Sequence, residues 1–129
     1  MPALFVAHYG HRLLKGAKHW SFLLQMNDQL ENFMAYQVTG STDNYEVKEP
    51  ELVSPRKSQA FMGMVQVGHI EEHRRQEFVD VIVAVPVTRG NTAWNCQNWI
   101  IEALNVAKTK GFKVDAHTLT GLQEILATV

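Results

Sequence analysis

At 129 residues, 46% of them hydrophobic and 19% charged, the chain has the composition of a folded protein with room for one domain and its core. Twelve basic side chains stand against thirteen acidic ones, a net charge of −1 that gives no electrostatic reason to expect nucleic acid or an anionic membrane surface as a partner. A single cysteine excludes an internal disulfide, no apolar run approaches bilayer length, and no secretory h-region opens the chain. The expectation is a cytoplasmic protein without a transmembrane segment, forming one domain over residues 1–129.

In chain order, Ala3-Leu4-Phe5-Val6-Ala7-His8-Tyr9 reads as a buried strand that Gly10 stops. His11 to Gly16 is a basic connector. Ala17 to Met26 is a second strand, ended by Asn27-Asp28, and a period of two puts His19, Ser21, Leu23 and Gln25 on one face. Phe33 to Thr39 is a third, closed by the turn composition of Gly40 to Asn44. Tyr45 to Lys48 is a short candidate for a fourth. Glu49 to Ser58, with Pro50 and Pro55, reads as a loop and as the segment expected to move most.

Gln59 to Gly68 returns to strand character, with Phe61, Gly63, Val65 and Val67 on one face and Met62 and Met64 packing under a helix. The period then changes. Glu71 to Val85 is helical, with Phe78, Val81, Ile82 and Val85 as its stripe and Pro86 as its end. Asn91 to Lys110 contains a second helix that Gly111 stops. Thr118 to Thr128 is a third, with Leu119, Leu122, Ile125 and Leu126 turned inward. Strands first and helices last imply an α+β fold, an antiparallel sheet of four to five strands followed by about three helices.

Chemistry concentrates in Trp94-Asn95-Cys96-Gln97-Asn98-Trp99-Ile100. Asn95 is a good N-cap, because its amide oxygen accepts from the unpaired N–H groups of a first helical turn. Cys96 then stands at the helix start, where partial positive charge and free donors favour a thiolate. The same residue also shares a stripe with Trp99, Ile100, Ala103 and Ala107, so it reads equally as a small buried hydrophobe. A thiol nucleophile needs a base, and the base needs a polar group to hold its ring. His19 opens its strand on the face of Ser21, and Gln37 on the next strand meets the other ring nitrogen of His19 if the two strands pair.

The order His-Trp on a strand, a polar residue on the next strand and Asn-Cys opening a helix resembles the circularly permuted NlpC/P60 thiol hydrolases. This papain-like group includes the lecithin:retinol acyltransferase family. The matching stretches are His19-Trp20-Ser21-Phe22-Leu23-Leu24 and Asn95-Cys96-Gln97-Asn98-Trp99-Ile100. Most of the chain is also similar to small fungal proteins with His-Trp and Trp-Asn-Cys motifs, which bring no assigned activity. The resemblance implies a permuted papain-like fold, Cys96 as nucleophile, His19 as general base and Gln37 as the third polar residue. It departs from the family pattern twice: Gln37 stands where a second His is common, and Gln97-Asn98 where Glu-His usually follows the cysteine.

The implied activity is a hydrolase or acyltransferase acting on an amide, ester or thioester of a small-molecule, peptide or acyl substrate, with no cofactor and no nucleic-acid partner. The alternative is an inactive binding or assembly module of the same fold. A third reading rests on His69-Ile70-Glu71-Glu72-His73, which fits the H-x-x-E-H zinc pattern only if both histidines share one helix face. His8 and His11 are polar residues at a strand end or part of the His19 cleft. Trp20, Trp94 and Trp99 are core or cleft wall.

Overall fold

The computed structural model describes residues 2–10, 18–26 and 31–129. The connector expected at His11–Gly16 and the stop at Asn27-Asp28 lie outside them. The strands of the first half are β1 (Ala3–Tyr9), β2 (His19–Gln25), β3 (Phe33–Tyr36), β4 (Val38–Thr39), β5 (Glu46–Val47), β6 (Glu51–Val53) and β7 (Phe61–His69). After them come α1 (Arg75–Val83), α2 (Cys96–Thr109), a short β8 (Lys113–Val114) and α3 (Leu119–Leu126). The class is α+β, as the order of periodicities implies.

Six strands form one sheet in the order β6-β3-β2-β1-β7-β8, and every neighbouring pair is antiparallel. This exceeds the expected four to five for two reasons. Glu51–Val53 lies inside the stretch read as a loop, yet it pairs with Phe33–Ala35 as an edge strand. Lys113–Val114 follows α2 and closes the other edge against Gly68 and His69, where a side chain on Gly68 would strike the β8 backbone. β4 and β5 form a separate two-stranded ribbon. The strand expected over Phe33–Thr39 is therefore broken at Gln37, where the chain leaves the large sheet.

Alternation along β2 divides the interior. Trp20, Phe22 and Leu24 face the helices, together with Leu4 and Val6 of β1, Ile82 of the first helical segment and Trp99, Ile100 and Ala103 of α2. Trp99 is fully buried, meets Phe22 edge-on at 5.8 Å between ring centroids and donates from its indole nitrogen to the Val85 carbonyl. Burying apolar surface of this kind drives the sheet and helix together. Leu23 faces the opposite side with Ala7, Phe33 and Ala35 in a smaller cluster.

Three expectations about facing are corrected. A register shift between His8 and Tyr9 pairs Tyr9 with Phe61 and His8 with Gly63, so an extra residue enters β7 and Phe61 joins the smaller cluster while Val65 and Val67 pack with the helices. Met64 also packs in that smaller cluster rather than under a helix. In α3, Leu122 and Leu126 are buried but Ile125 is exposed. The α1 segment starts later than its sequence pattern, with a 3-10 turn at Glu72–Arg74 before regular helix at Arg75. No helix among the described residues is long and apolar enough to cross a membrane.

Candidate active site

The first turn of α2 is held by the residues around the cysteine. Asn95 adopts extended backbone and its side-chain oxygen accepts from the Gln97 N–H at 2.9 Å, while Asn98 Oδ1 accepts from the Asn95 N–H at 2.9 Å. This is a reciprocal capping box with asparagine in the place usually taken by Glu or Gln. Gln97 is buried, donates from Nε2 to the Lys18 carbonyl at 2.8 Å and accepts from Gln123 Nε2 at 2.8 Å. The side chain beside the cysteine thus ties the mouth of the helix to the residue before β2.

That tie places Cys96 against His19. Cys96 and His19 line one cleft, where the imidazole and the Trp20 backbone N–H act on the thiol. Burial pushes the Cys96 thiol up, but the His19 hydrogen bond, the Trp20 N–H, the charge of His19 and the N–H of Cys96 itself outweigh it, and the net direction is down. Burial likewise pulls the imidazole down. The hydrogen bonds to Cys96 and Gln37 and the charge on Cys96 overcome that and the opposing charge of Lys48, so His19 holds its proton above its ordinary range. The two directions agree, and both favour thiolate beside imidazolium. Cys96 is half-buried rather than sealed in the core, whereas Trp99, Ile100, Ala103 and Ala107 of its stripe are fully buried.

His19 Nε2 and Gln37 Oε1 are 2.5 Å apart. A carbonyl oxygen only accepts, so Nε2 carries the hydrogen and Nδ1 is the ring nitrogen left for the thiol. The three residues singled out in the sequence, Cys96, His19 and Gln37, therefore meet. The two strands do pair, from Gln25–Phe33 to Phe22–Tyr36, and Gln37 sits one residue beyond the Phe22–Tyr36 pair. Its carbonyl instead accepts from the Lys48 N–H as the chain turns into the small ribbon.

Behind Gln37 lies a residue that the sequence reading missed. Gln37 Nε2 donates to Glu51 Oε1 at 3.3 Å, and Lys48 Nζ donates to the same oxygen at 2.8 Å. The Tyr9 ring stands 6.1 Å from the imidazole, and burial together with the Glu51 charge pushes its hydroxyl up to about 12. The signal available in sequence was the Lys48/Glu51 pair of opposite charges three apart, within a stretch whose prolines argued for a loop.

Two cavities flank the imidazole. A cleft of about 320 Å³ opens on Cys96 and His19 and is walled by Asn95, Thr39, Gly40 and Tyr45. The Tyr45 ring rests edge-on against Trp94 at 5.3 Å, and Arg89 and Gly90 hydrogen-bond the Tyr45 and Thr42 carbonyls, so the ribbon wall is fixed to the segment leading into α2. A smaller chamber of about 200 Å³ lies on the other side, lined by Tyr9, Ser21, Gln37 and Glu51.

A family model matches residues 6–112. The chain belongs to DUF6540, a family of unknown function. The matched stretch holds His19, Gln37, Glu51 and Cys96 and stops short of α3. No curated protein and no solved structure matches the chain.

The zinc reading fails on geometry. His69 is the last residue of β7, paired with Ala3, and His73 lies in the 3-10 turn with its side chain 76% exposed, so the two never share a helix face. Among the described residues no group of three or more His, Cys, Asp and Glu is placed to hold a metal ion. His8 is buried within β1, opposite Trp20, and is not a wall of the cleft; His11 lies outside the described residues.

Proposed function

We propose that the protein is a cysteine-dependent hydrolase or acyltransferase, related to the permuted NlpC/P60 group, with Cys96 as nucleophile, His19 as general base and acid, and Gln37 as the group that orients the imidazole. The observation that carries this reading is that Cys96 and His19 line one open cleft while Gln37 binds the imidazole from behind. The thiolate attacks the carbonyl carbon of an amide, ester or thioester, and a C–S bond forms. The oxyanion is met by the Cys96 backbone N–H at the start of the helix. His19 gives its proton to the leaving group as the bond between that group and the carbonyl carbon breaks. Water, or an amine or alcohol, then attacks the thioester while His19 takes the acceptor's proton, and the C–S bond breaks to return the thiolate. A lone cysteine that folds without an oxidising compartment suits a cytoplasmic setting.

The test is the pH dependence of Cys96 alkylation by iodoacetamide. The thiol is shifted down, so labelling is expected to be fast well below the free-thiol value of ~8.5. The imidazole is shifted up, so both directions favour the thiolate beside a protonated ring. In His19→Ala both supports go. The thiol then loses the partner that holds it down while keeping the burial that pushes it up, so fast labelling below the free-thiol range is expected to be lost. A wild-type profile that titrates like a free thiol would favour the binding-module alternative.

A further inference from the structure

We propose that Glu51 is a positioning residue for the His19 base, acting through Gln37. The proposal rests on the hydrolase reading above. It starts from a weakness of Gln37: the two ends of a carboxamide have the same shape, and either can face the imidazole. With its oxygen toward His19 Nε2, Gln37 accepts from the ring and stabilises the imidazolium. Turned round, its NH₂ group faces the Nε2–H of the imidazolium donor to donor. The neutral ring then relieves the clash by moving its hydrogen to Nδ1, where it can no longer take the thiol's proton.

Glu51 decides between the two orientations. A carboxylate oxygen accepts, so Glu51 holds the NH₂ end of Gln37 and turns the carbonyl to the ring. Lys48 binds the same carboxylate oxygen and fixes it in place. Polarity therefore runs in one direction from Lys48 through Glu51, Gln37 and His19 to the Cys96 thiol. The titratable groups facing this chain are Lys48, whose charge opposes protonation of His19, and the Tyr9 phenol, which stays neutral far above neutrality. A carboxylate stands one residue behind the amide, reached by β6 pairing with β3.

The experiment compares wild type, Glu51→Ala and the double variant Gln37→Glu/Glu51→Ala in the full chain. A carboxylate at position 37 only accepts and fixes the ring without Glu51. Glu51→Ala is expected to slow iodoacetamide labelling of Cys96 at pH 6.5 by about tenfold, the scale on which outer partners orient an imidazole. Ring ¹⁵N spectra of His19 are expected to leave the Nε2–H pattern, and the double variant is expected to restore both readouts. Labelling and ¹⁵N pattern unchanged in Glu51→Ala overturn the proposal, as does a folded double variant that restores neither. Should Glu51→Ala fail to fold, Glu51→Gln preserves the volume while adding a donor; a partial loss in the same direction supports the proposal and no change overturns it. Wild type labelled as a free thiol would remove the hydrolase reading, while the ¹⁵N pattern would still report on Glu51.

Discussion

The two ends of α2 meet the same problem with opposite chemistry. A helix leaves N–H groups unpaired at its start and carbonyls unpaired at its end. At the start, neutral amides serve: Asn95 and Asn98 form the capping box, and Gln97 reaches back to Lys18. At the end a cation serves. Arg74 donates to the Lys110 and Gly111 carbonyls, pairs with Glu77 and lies 3.9 Å over the Phe112 ring. The C-terminal end is closed by this arrangement. The N-terminal end is closed except at its first residue, where Cys96 is half-buried and a cleft opens in front. What distinguishes the first is that its bonds surround a thiol that lines a cleft with a histidine.

The comparison is broken most directly at Gln97. Gln97→Ala removes the donor to the Lys18 carbonyl in a part-buried contact and the link to Gln123. Losing hydrogen bonds of this kind costs ~0.5–1.5 kcal/mol each, which denaturant titration would read. Because the lost bond is what holds the helix mouth at the start of β2, the fast low-pH labelling of Cys96 is expected to weaken together with stability. A loss of stability with an untouched labelling profile would show that the thiol and the imidazole find each other without this tie.

Asn95→Ala is expected to have a smaller effect. Removing a capping side chain costs ~1 kcal/mol, and Asn98 retains its own bond to the backbone of residue 95. The first turn loosens rather than detaches, so the thermal midpoint should fall modestly and labelling of Cys96 at pH 6.5 should slow by less than in Gln97→Ala. Equal slowing in the two would make the cap, and not the Lys18 tie, the main anchor of the cysteine.

What was legible in the sequence follows from the range of the forces involved. The Asn95 cap, the period-two face of His19 and the stop at Gly111 are local, written in residues that sit next to one another. The meeting of Cys96 with His19 and Gln37 was accessible because the chemistry of a thiol demands a base and the base demands an orienting group. Glu51 was hidden because its strand is only Glu51–Val53, flanked by Pro50 and Pro55, and exists through pairing with β3 rather than through any pattern of its own. The facing of Phe61 was lost to a shift in register, which no alternation rule anticipates once an extra residue enters the strand. Gln97 read as a departure from a family motif, since its partner, the Lys18 carbonyl, is brought to it only by the finished fold.

Arg74→Ala completes the comparison from the far end of the helix. The substitution removes the cation over Phe112, the pair with Glu77 and the donors to Lys110 and Gly111. Those carbonyls belong to exposed residues, so water replaces the lost donors, and the exposed ion pair contributes little in solvent. The thermal midpoint should therefore drop only slightly, through the Phe112 face left uncovered. Labelling of Cys96 should keep its wild-type pH profile, because nothing at this end touches the thiol, the imidazole or the residues that orient them. A shift of that profile as large as the one expected for Gln97→Ala would mean that the helix moves as one rigid lever, and the separation drawn between its two ends would not hold.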